Sequence, residues 1–301
     1  MLDEVLGHLD PRLGVGEDGE AHVYVDATVG LGGHAEAILE RSSPDGRLVG
    51  VDRDPAALAL AAERLARFKD RCVLVHGDFS ELRALLAARG LRAVDGLLCD
   101  LGVSSLQLDD AARGFSLRAD GPLDMRMDPS SPRDAASVLD TIREADLVDA
   151  LGRLGGERFA GRVARVVLER RRAGRLSTTG ALRDAVHAAL GRSRAGGIDA
   201  ATRAFQALRM IVNHELEALG ALLAELPGLL RPGGRAVFLS FHSGEDRLVK
   251  HALRGLAQRE EPPRLRLLTR RAQRPSDAET AVNPRARSAK LRAIERLAEV
   301  A

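Results

Sequence analysis

The sequence predicts an α/β fold, a mostly parallel sheet covered by helices, interrupted by an inserted helical domain. Three observations carry this. From His22 to Asp100 short β-branched runs alternate with helical stretches, the pattern of successive βαβ units. Beyond Asp100 the alternation stops and helical periodicity takes over. Beyond residue 200 an apolar strand returns, so the sheet resumes after the insertion.

Taken in order, strands are expected at 23–26, 48–52, 72–76 and 94–100, with helices at 34–41, 55–68 and 80–89 between them. Pro55 suits a first helical turn, where its missing N–H would be unpaired anyway. Residues 114–132 carry loop chemistry, followed by helical periodicity at 143–154, 158–172 and 182–190. A long helix over 202–226 leads to the turn signal Pro232-Gly233-Gly234 and then to a strand at 235–241. A helix at 246–258 and two short strands, 265–269 and 290–295, finish the chain as an antiparallel pair at the sheet edge. The expected domains are therefore 1–104 with 200–301 as the core and 105–199 as the insertion.

Composition narrows the functional classes. Of 301 residues 45% are apolar and 29% charged, the balance of a chain that folds. Cys72 and Cys99 each lie in an apolar run, where a thiol packs as a small hydrophobe rather than as half of a disulfide. The N-terminus, Met1-Leu2-Asp3-Glu4, is acidic, and no apolar stretch approaches the roughly 20 residues of a membrane span. A cytoplasmic protein is expected. The net charge of +2 conceals polarity: 153–175 holds eight Arg against Glu157 and Glu169, and 261–301 holds ten basic against five acidic residues. Such separation fits a polyanionic partner that touches part of the surface. It fits equally two solvated arginine-rich faces.

The segment Asp26-Ala27-Thr28-Val29-Gly30-Leu31-Gly32-Gly33-His34 leaves a strand and opens a helix, so its glycines let backbone N–H groups approach a ligand. A tight strand-to-helix turn would use the same glycines. Asp52 adds weight, because a carboxylate at the second strand tip can accept both hydroxyls of an adenosine ribose. Asp78 beside Phe79 follows the third strand and Asp100 ends the fourth, which puts four acidic tips on one sheet edge. A pyrophosphate prefers a helix N-terminus without nearby negative charge, and Asp26 opposes it. The same carboxylate suits the ammonium and sulfonium of S-adenosylmethionine, so a methyl donor is favoured over a nicotinamide cofactor.

Several motifs together resemble the bacterial small-subunit ribosomal RNA methyltransferase H family. They are Asp26-x-x-x-Gly30-x-Gly32-Gly33-His34, Val51-Asp52-Arg53-Asp54-Pro55, Asp100-Leu101-Gly102-Val103-Ser104-Ser105-x-Gln107-Leu108-Asp109 and Arg113-Gly114-Phe115-Ser116. Three more follow: Asp120-Gly121-Pro122-Leu123-Asp124-Met125-Arg126-Met127, Ser240-Phe241-His242-Ser243 and Asn283-Pro284-Arg285-Ala286-Arg287-Ser288. The resemblance implies a class I, Rossmann-like S-adenosylmethionine-dependent methyltransferase sheet with a helical substrate-recognition insertion. It also implies N4-methylation of cytidine 1402 of 16S rRNA at the decoding centre of the 30S subunit. Carried over by motif, the cofactor contacts fall on Gly32, Gly33, His34, Asp52, Phe79, Asp100 and Gln107. Two departures stand out. The family's His-x-Pro-Val-Leu-Leu segment before the Glu-Val matched by Glu4-Val5 is absent from this sequence, and Gly244 replaces a usual Leu, which is expected to loosen the following helix.

An exocyclic cytosine amine is a poor nucleophile because its lone pair is delocalised into the ring, so positioning and an acceptor for its N–H should dominate. Asp100 is the candidate acceptor; holding the cofactor's amino group, or capping the loop, would explain it equally. His242 is the second catalytic candidate, following the returning strand at the same edge. Phe115, Phe241 and His242 are the available stacking partners for the base, since Asp100-Leu101-Gly102-Val103 contains no ring. Attack at carbon 5 would need a thiolate, and Cys99 has nothing basic beside it. No metal is expected, because the eight histidines show no paired ligand spacing. Arg158, Arg162 and Arg165 recur at helical spacing and are candidate RNA-phosphate contacts, with Arg264, Arg266, Arg285 and Arg287 as a second group. Two other classes stay open: a ribosome-binding factor that keeps the fold without catalysis, and a nicotinamide oxidoreductase.

Overall fold

The computed structural model describes residues 1–16, 19–191, 199–259 and 264–298. They form two compact units, one made of Met1–Gly102 with Leu216–Ala301 and the other of Val103–Glu215. The second boundary thus lies at 215/216 rather than 199/200. Among the described residues no helix is long and apolar enough to cross a membrane.

The first unit is built on a seven-stranded sheet. It opens with α1 (Leu2–Leu9), then β1 (Val23–Asp26), α2 (Gly33–Arg41), β2 (Arg47–Asp52), α3 (Pro55–Arg64), β3 (Cys72–His76), α4 (Leu82–Ala87) and β4 (Val94–Asp100). Parallel pairing puts β1 between β2 and β4, with Asp26 opposite Gly50 on one side and Leu98 on the other. The expected helix over 55–68 stops at Arg64 and continues as a 3₁₀ turn, Ala66–Phe68. At its start Asp54 accepts the N–H of Ala56 and Pro55 occupies the first turn, both strong start signals.

The second unit contains α5 (Ser105–Asp109), α6 (Ala135–Thr141), α7 (Glu144–Arg153), α8 (Ala160–Arg172), α9 (Thr179–Leu190) and α10 (Thr202–Val212). Their apolar faces share one core, in which Val163, Leu182, Ala185, Val186 and Leu176 are fully buried. The single helix expected over 202–226 is broken. Asn213 ends α10, His214 takes φ 50°, and a new helix, α11 (Glu215–Leu229), begins. The left-handed residue that closes the turn is His214, in place of the glycine more usual at such a position.

The chain returns to the first unit through α11 and enters β5 (Leu230–Ser240), which pairs in parallel with β4. The Pro232-Gly233-Gly234 turn lies inside this strand as an irregularity: Leu230 faces Val94 and Arg235 faces Gly96, with Gly233 at φ 77°. After α12 (Ser243–Ala257) come β6 (Leu265–Leu267), α13 (Asp277–Val282) and β7 (Lys290–Arg296). β7 lies antiparallel between β5 and β6, giving the order β3-β2-β1-β4-β5-β7-β6. Both sheet faces are covered. Val25, Leu97, Cys99, Phe238 and Ile294 lie in one apolar cluster, and Tyr24, Leu48, Leu98, Val237 and Leu291 in the other.

Candidate methyl-donor site

Parallel strands ending in register bring the acidic tips of β1, β2 and β4 together, because alternate residues of each strand point into the core while the last one meets the loop. Asp26 is almost fully buried. Its Oδ1 accepts the N–H of Thr28 at 3.2 Å, while Oδ2 has no hydrogen-bond partner. Burial, with the nearby carboxylates of Asp100 and Asp52, pushes its pKa up to about 8.

Asp100 has the same character. Its backbone N–H donates to Thr28 Oγ1 at 2.7 Å, its Oδ2 lies 3.6 Å from His34 Nδ1, and its Oδ1 is buried without a partner. The side chain is 29% exposed, so one oxygen is reachable while the other is dry. Burial and the charge of Glu245 raise its pKa to about 7. His34 opens α2 just after Gly32, whose φ of 80° favours glycine, and burial lowers its imidazole pKa to about 4. The rim therefore holds a neutral imidazole among carboxyl groups that lack counter-charges. A buried carboxylate in this condition is costly until a cation or donor reaches it.

Asp52 is bound into the glycine turn. Its Oδ2 accepts the N–H of Gly30 at 2.8 Å and its Oδ1 that of Asp54 at 2.9 Å. These bonds oppose the upward effect of burial on its pKa, which remains raised. Each oxygen keeps a lone pair, so the carboxylate can still accept hydroxyls. Phe79, buried after β3, lies beneath the Arg53 guanidinium at 5.7 Å, and Arg53 also pairs with Asp78. Gln107 belongs to the helical unit, where its Oε1 accepts the N–H of Ser104 and its own N–H donates to Ser104 Oγ.

Four sequence readings change. His242 is the N-cap of α12: its Nδ1 accepts the N–H groups of Gly244 and Glu245 at 3.1 and 3.3 Å, and its Nε2 lies 3.0 Å from Glu245 Oε1. A ring holding this cap can take a proton from a substrate only by releasing the helix. The same capping box gives α12 a firm start despite Gly244. Phe115 packs in the helical core and offers no stacking face there. Arg158 precedes α8 and stacks near Phe159 at 5.7 Å, so it does not share the helical face of Arg162 and Arg165. All three arginines are exposed. Among the second group, Arg266 pairs with Glu295. Cys99 is fully buried with its thiol pKa pushed well up by burial, which leaves no thiolate for attack on a ring carbon. The sequence reading missed Thr28, Arg53 and Glu245. Arg53 and Thr28 flank strand tips and were open to inspection, whereas Glu245 reaches the rim only through the turn after β5.

A 3-2-1-4-5-7-6 sheet with one antiparallel strand, and a carboxylate rim around a glycine turn, defines a class I S-adenosylmethionine-dependent methyltransferase. The sequence matches the model of the MraW methylase family over residues 1–297. A ribosomal RNA small subunit methyltransferase H of Sorangium cellulosum is 52% identical, covering 91% of this chain and 85% of its own. Proteins of the same name from Syntrophobacter fumaroxidans and Geobacter sulfurreducens are 48% and 49% identical. They cover 98% and 99% of this chain and 95% and 97% of their own. This chain belongs to the MraW methylase family.

Proposed function

We propose that the protein methylates the exocyclic N4 amine of a cytidine in small-subunit ribosomal RNA, nucleotide 1402 of 16S rRNA in the decoding centre. The observation that carries this reading is the pair of buried, unpartnered carboxylate oxygens, Asp26 Oδ2 and Asp100 Oδ1, on neighbouring strands. Their chemistry fits a cationic methyl donor. Gly32, Gly33 and His34 leave backbone room for its amino-acid portion, Asp52 accepts ribose hydroxyls, and the family resemblance adds Phe79 as a further contact. The family resemblance implies Gln107 as a cofactor contact as well.

Bound there, S-adenosylmethionine supplies a methyl group on a sulfonium, an electrophile that needs no further activation. The protein's own task is positioning, together with an acceptor for an amine N–H. Asp100 provides that acceptor. A carboxylate on the N–H draws the nitrogen lone pair out of ring conjugation, and a pKa of about 7 suits a group that takes up the released proton near neutrality. His242 contributes by fixing α12 and Glu245 beside the rim. Exposed Arg158, Arg162 and Arg165 take backbone phosphates, which fix register without reading sequence. The partner is the 30S subunit in the cytoplasm.

Transfer of labelled methyl to 30S subunits, followed by nucleoside mass spectrometry, tests the reading. N4-methylcytidine is expected. Formation of 5-methylcytidine overturns the chemistry, and intact donor binding with no methylated base favours a ribosome-binding factor without catalysis.

A further inference from the structure

At the opposite side of the sheet unit from β3, α12, β6 and β7 form a shallow, solvent-open hollow that the donor site does not use. Lys250 and Arg254 of α12, Thr269 and Arg270 after β6, and Arg292 of β7 line it over an apolar floor. Four cations converge there. Arg292 is neutralised, donating from Nε to Asp246 Oδ1 at 2.8 Å, and the other oxygen of Asp246 already accepts Lys290 Nζ at 2.9 Å. Lys250, Arg254 and Arg270 have no ion-pair partner among the described residues.

Arg254 and Arg270 are exposed, so without an anion the cluster is only mildly repulsive. Lys250 and Arg254 stand one turn apart on one helix, where like charges repel, and Lys250 is half-buried, so water screens its charge incompletely. Thr269 is nearly buried beside them. Its Oγ1 accepts the N–H of Ala293 at 3.0 Å, and its own O–H remains a donor at the edge of the hollow. Three cationic side chains and a hydroxyl donor around a concave site match a tetrahedral oxyanion, with the arginine forks suited to two oxygens at once. Exposed Arg264, Arg271 and Arg274 extend the positive surface beyond the hollow. A string of cations of this kind suits successive phosphates of a polymer better than one free ion.

We infer that this hollow binds a backbone phosphate of the RNA substrate, giving the sheet unit an RNA contact of its own, separate from the arginines of the helical unit. The inference rests on the proposed RNA methyltransferase reading.

The test measures binding of purified 30S subunits across a salt series. It compares wild type, the triple variant Lys250→Glu/Arg254→Glu/Arg270→Glu, the mild variant Arg270→Gln, and Lys69→Glu. Lys69 lies just before β3 at the other sheet edge. The triple variant is expected to bind RNA about tenfold or more weakly and to flatten the plot of log affinity against log salt by about one unit. Arg270→Gln should show a smaller change of the same sign, which keeps the test valid if the triple variant fails to fold. Lys69→Glu should change neither quantity. S-adenosylmethionine affinity, read by calorimetry, should be unchanged in every variant. Wild-type affinity and slope in folded triple variant, or an equal loss in Lys69→Glu, overturns the site while leaving methyl transfer intact. Loss of polyglutamate binding with RNA binding retained assigns the hollow to an acidic protein and also overturns it. A wild-type enzyme that binds no 30S subunit defeats the methyltransferase reading together with this one.

Discussion

In the helical unit, buried Asn213 uses both ends of its amide. Its Oδ1 accepts the N–H of Met127 at 2.7 Å, and its Nδ2 donates to the carbonyls of Met125 and Arg209. Nearby, Arg126 forms a forked pair with Asp124, and Arg113 donates to the carbonyls of Arg126 and Met127. In the sheet unit Asp26 and Asp100 each keep a buried oxygen with no partner. Among the described residues, every buried side-chain polar atom without a hydrogen bond lies in the sheet unit. A satisfied network fixes one conformation, whereas an unsatisfied carboxyl stores binding capacity for a cation. The Asp-Met-Arg-Met segment is thus a lock for its loop, and the strand tips are a receptor.

The contrast makes Asp and Asn substitutions in the two units fail differently. Asp100→Asn should lower the rate of methyl transfer about 10²- to 10⁴-fold, the range of a lost proton acceptor, with the thermal midpoint of the free enzyme unchanged or raised. Single-turnover kinetics and a melting curve measure both, and a lowered midpoint would mean that Asp100 is structural. Asn213→Ala should do the reverse. Removing the acceptor of the Met127 N–H and a donor to the Met125 carbonyl, both at a buried side chain, costs about 2–4 kcal/mol of stability, while donor affinity measured by calorimetry stays at wild type. Asp26→Asn should weaken S-adenosylmethionine binding about ten- to hundredfold, the loss of one charge-assisted contact of about 1.5–3 kcal/mol. S-adenosylhomocysteine, which lacks the sulfonium charge, should lose less.

The smallest effect concerns pH. Asp26 and Asp100 have folded pKa values of about 8 and about 7, above the ordinary 3.8. Their contribution to the free protein's stability is complete below about pH 4 and is lost as pH rises through 7 and 8. His34, held near 4 against an ordinary 6.5, acts oppositely below 6.5 as the unfolded chain takes up its proton. Above pH 6.5 the two carboxyls dominate this balance, so the melting temperature of the free enzyme should fall between about pH 6.5 and 8.5. Saturating S-adenosylmethionine should reduce that slope and release protons on binding, which calorimetry in buffers of different ionisation enthalpy reads directly. Equal slopes with and without the donor would place it away from Asp26 and Asp100.

Strand tips were legible because β-branched runs ending in Asp leave few alternatives, and β1 lies at 23–26 as expected. β7, at Lys290–Arg296, was expected as an antiparallel element from its closeness to the short strand before it, although its place between β5 and β6 follows from pairing that no local pattern encodes. The break at Asn213-His214 was hidden because apolar periodicity runs through it, and the residue that turns left-handed, His214, is not one of the glycine or asparagine signals for that conformation. α1 escaped because its apolar side is short and docks on the sheet through Val5 and Leu9. In the site, the burial that makes Asp26 and Asp100 unusual depends on strands distant in sequence. The role of His242 depends on where α12 begins. A histidine in a sequence does not reveal that its ring will hold two backbone N–H groups.

The order in which the chain is made gives the split sheet one more consequence. By residue 100 a nascent chain already carries Asp26, Asp52 and Asp100, yet β4 must wait through the whole helical unit before β5 supplies its neighbour. β5 waits in turn for β7, the last strand made, to close its other edge. Until then a growing chain exposes an apolar strand edge that invites mispairing, and late C-terminal truncations should surface first as poor yield of folded protein.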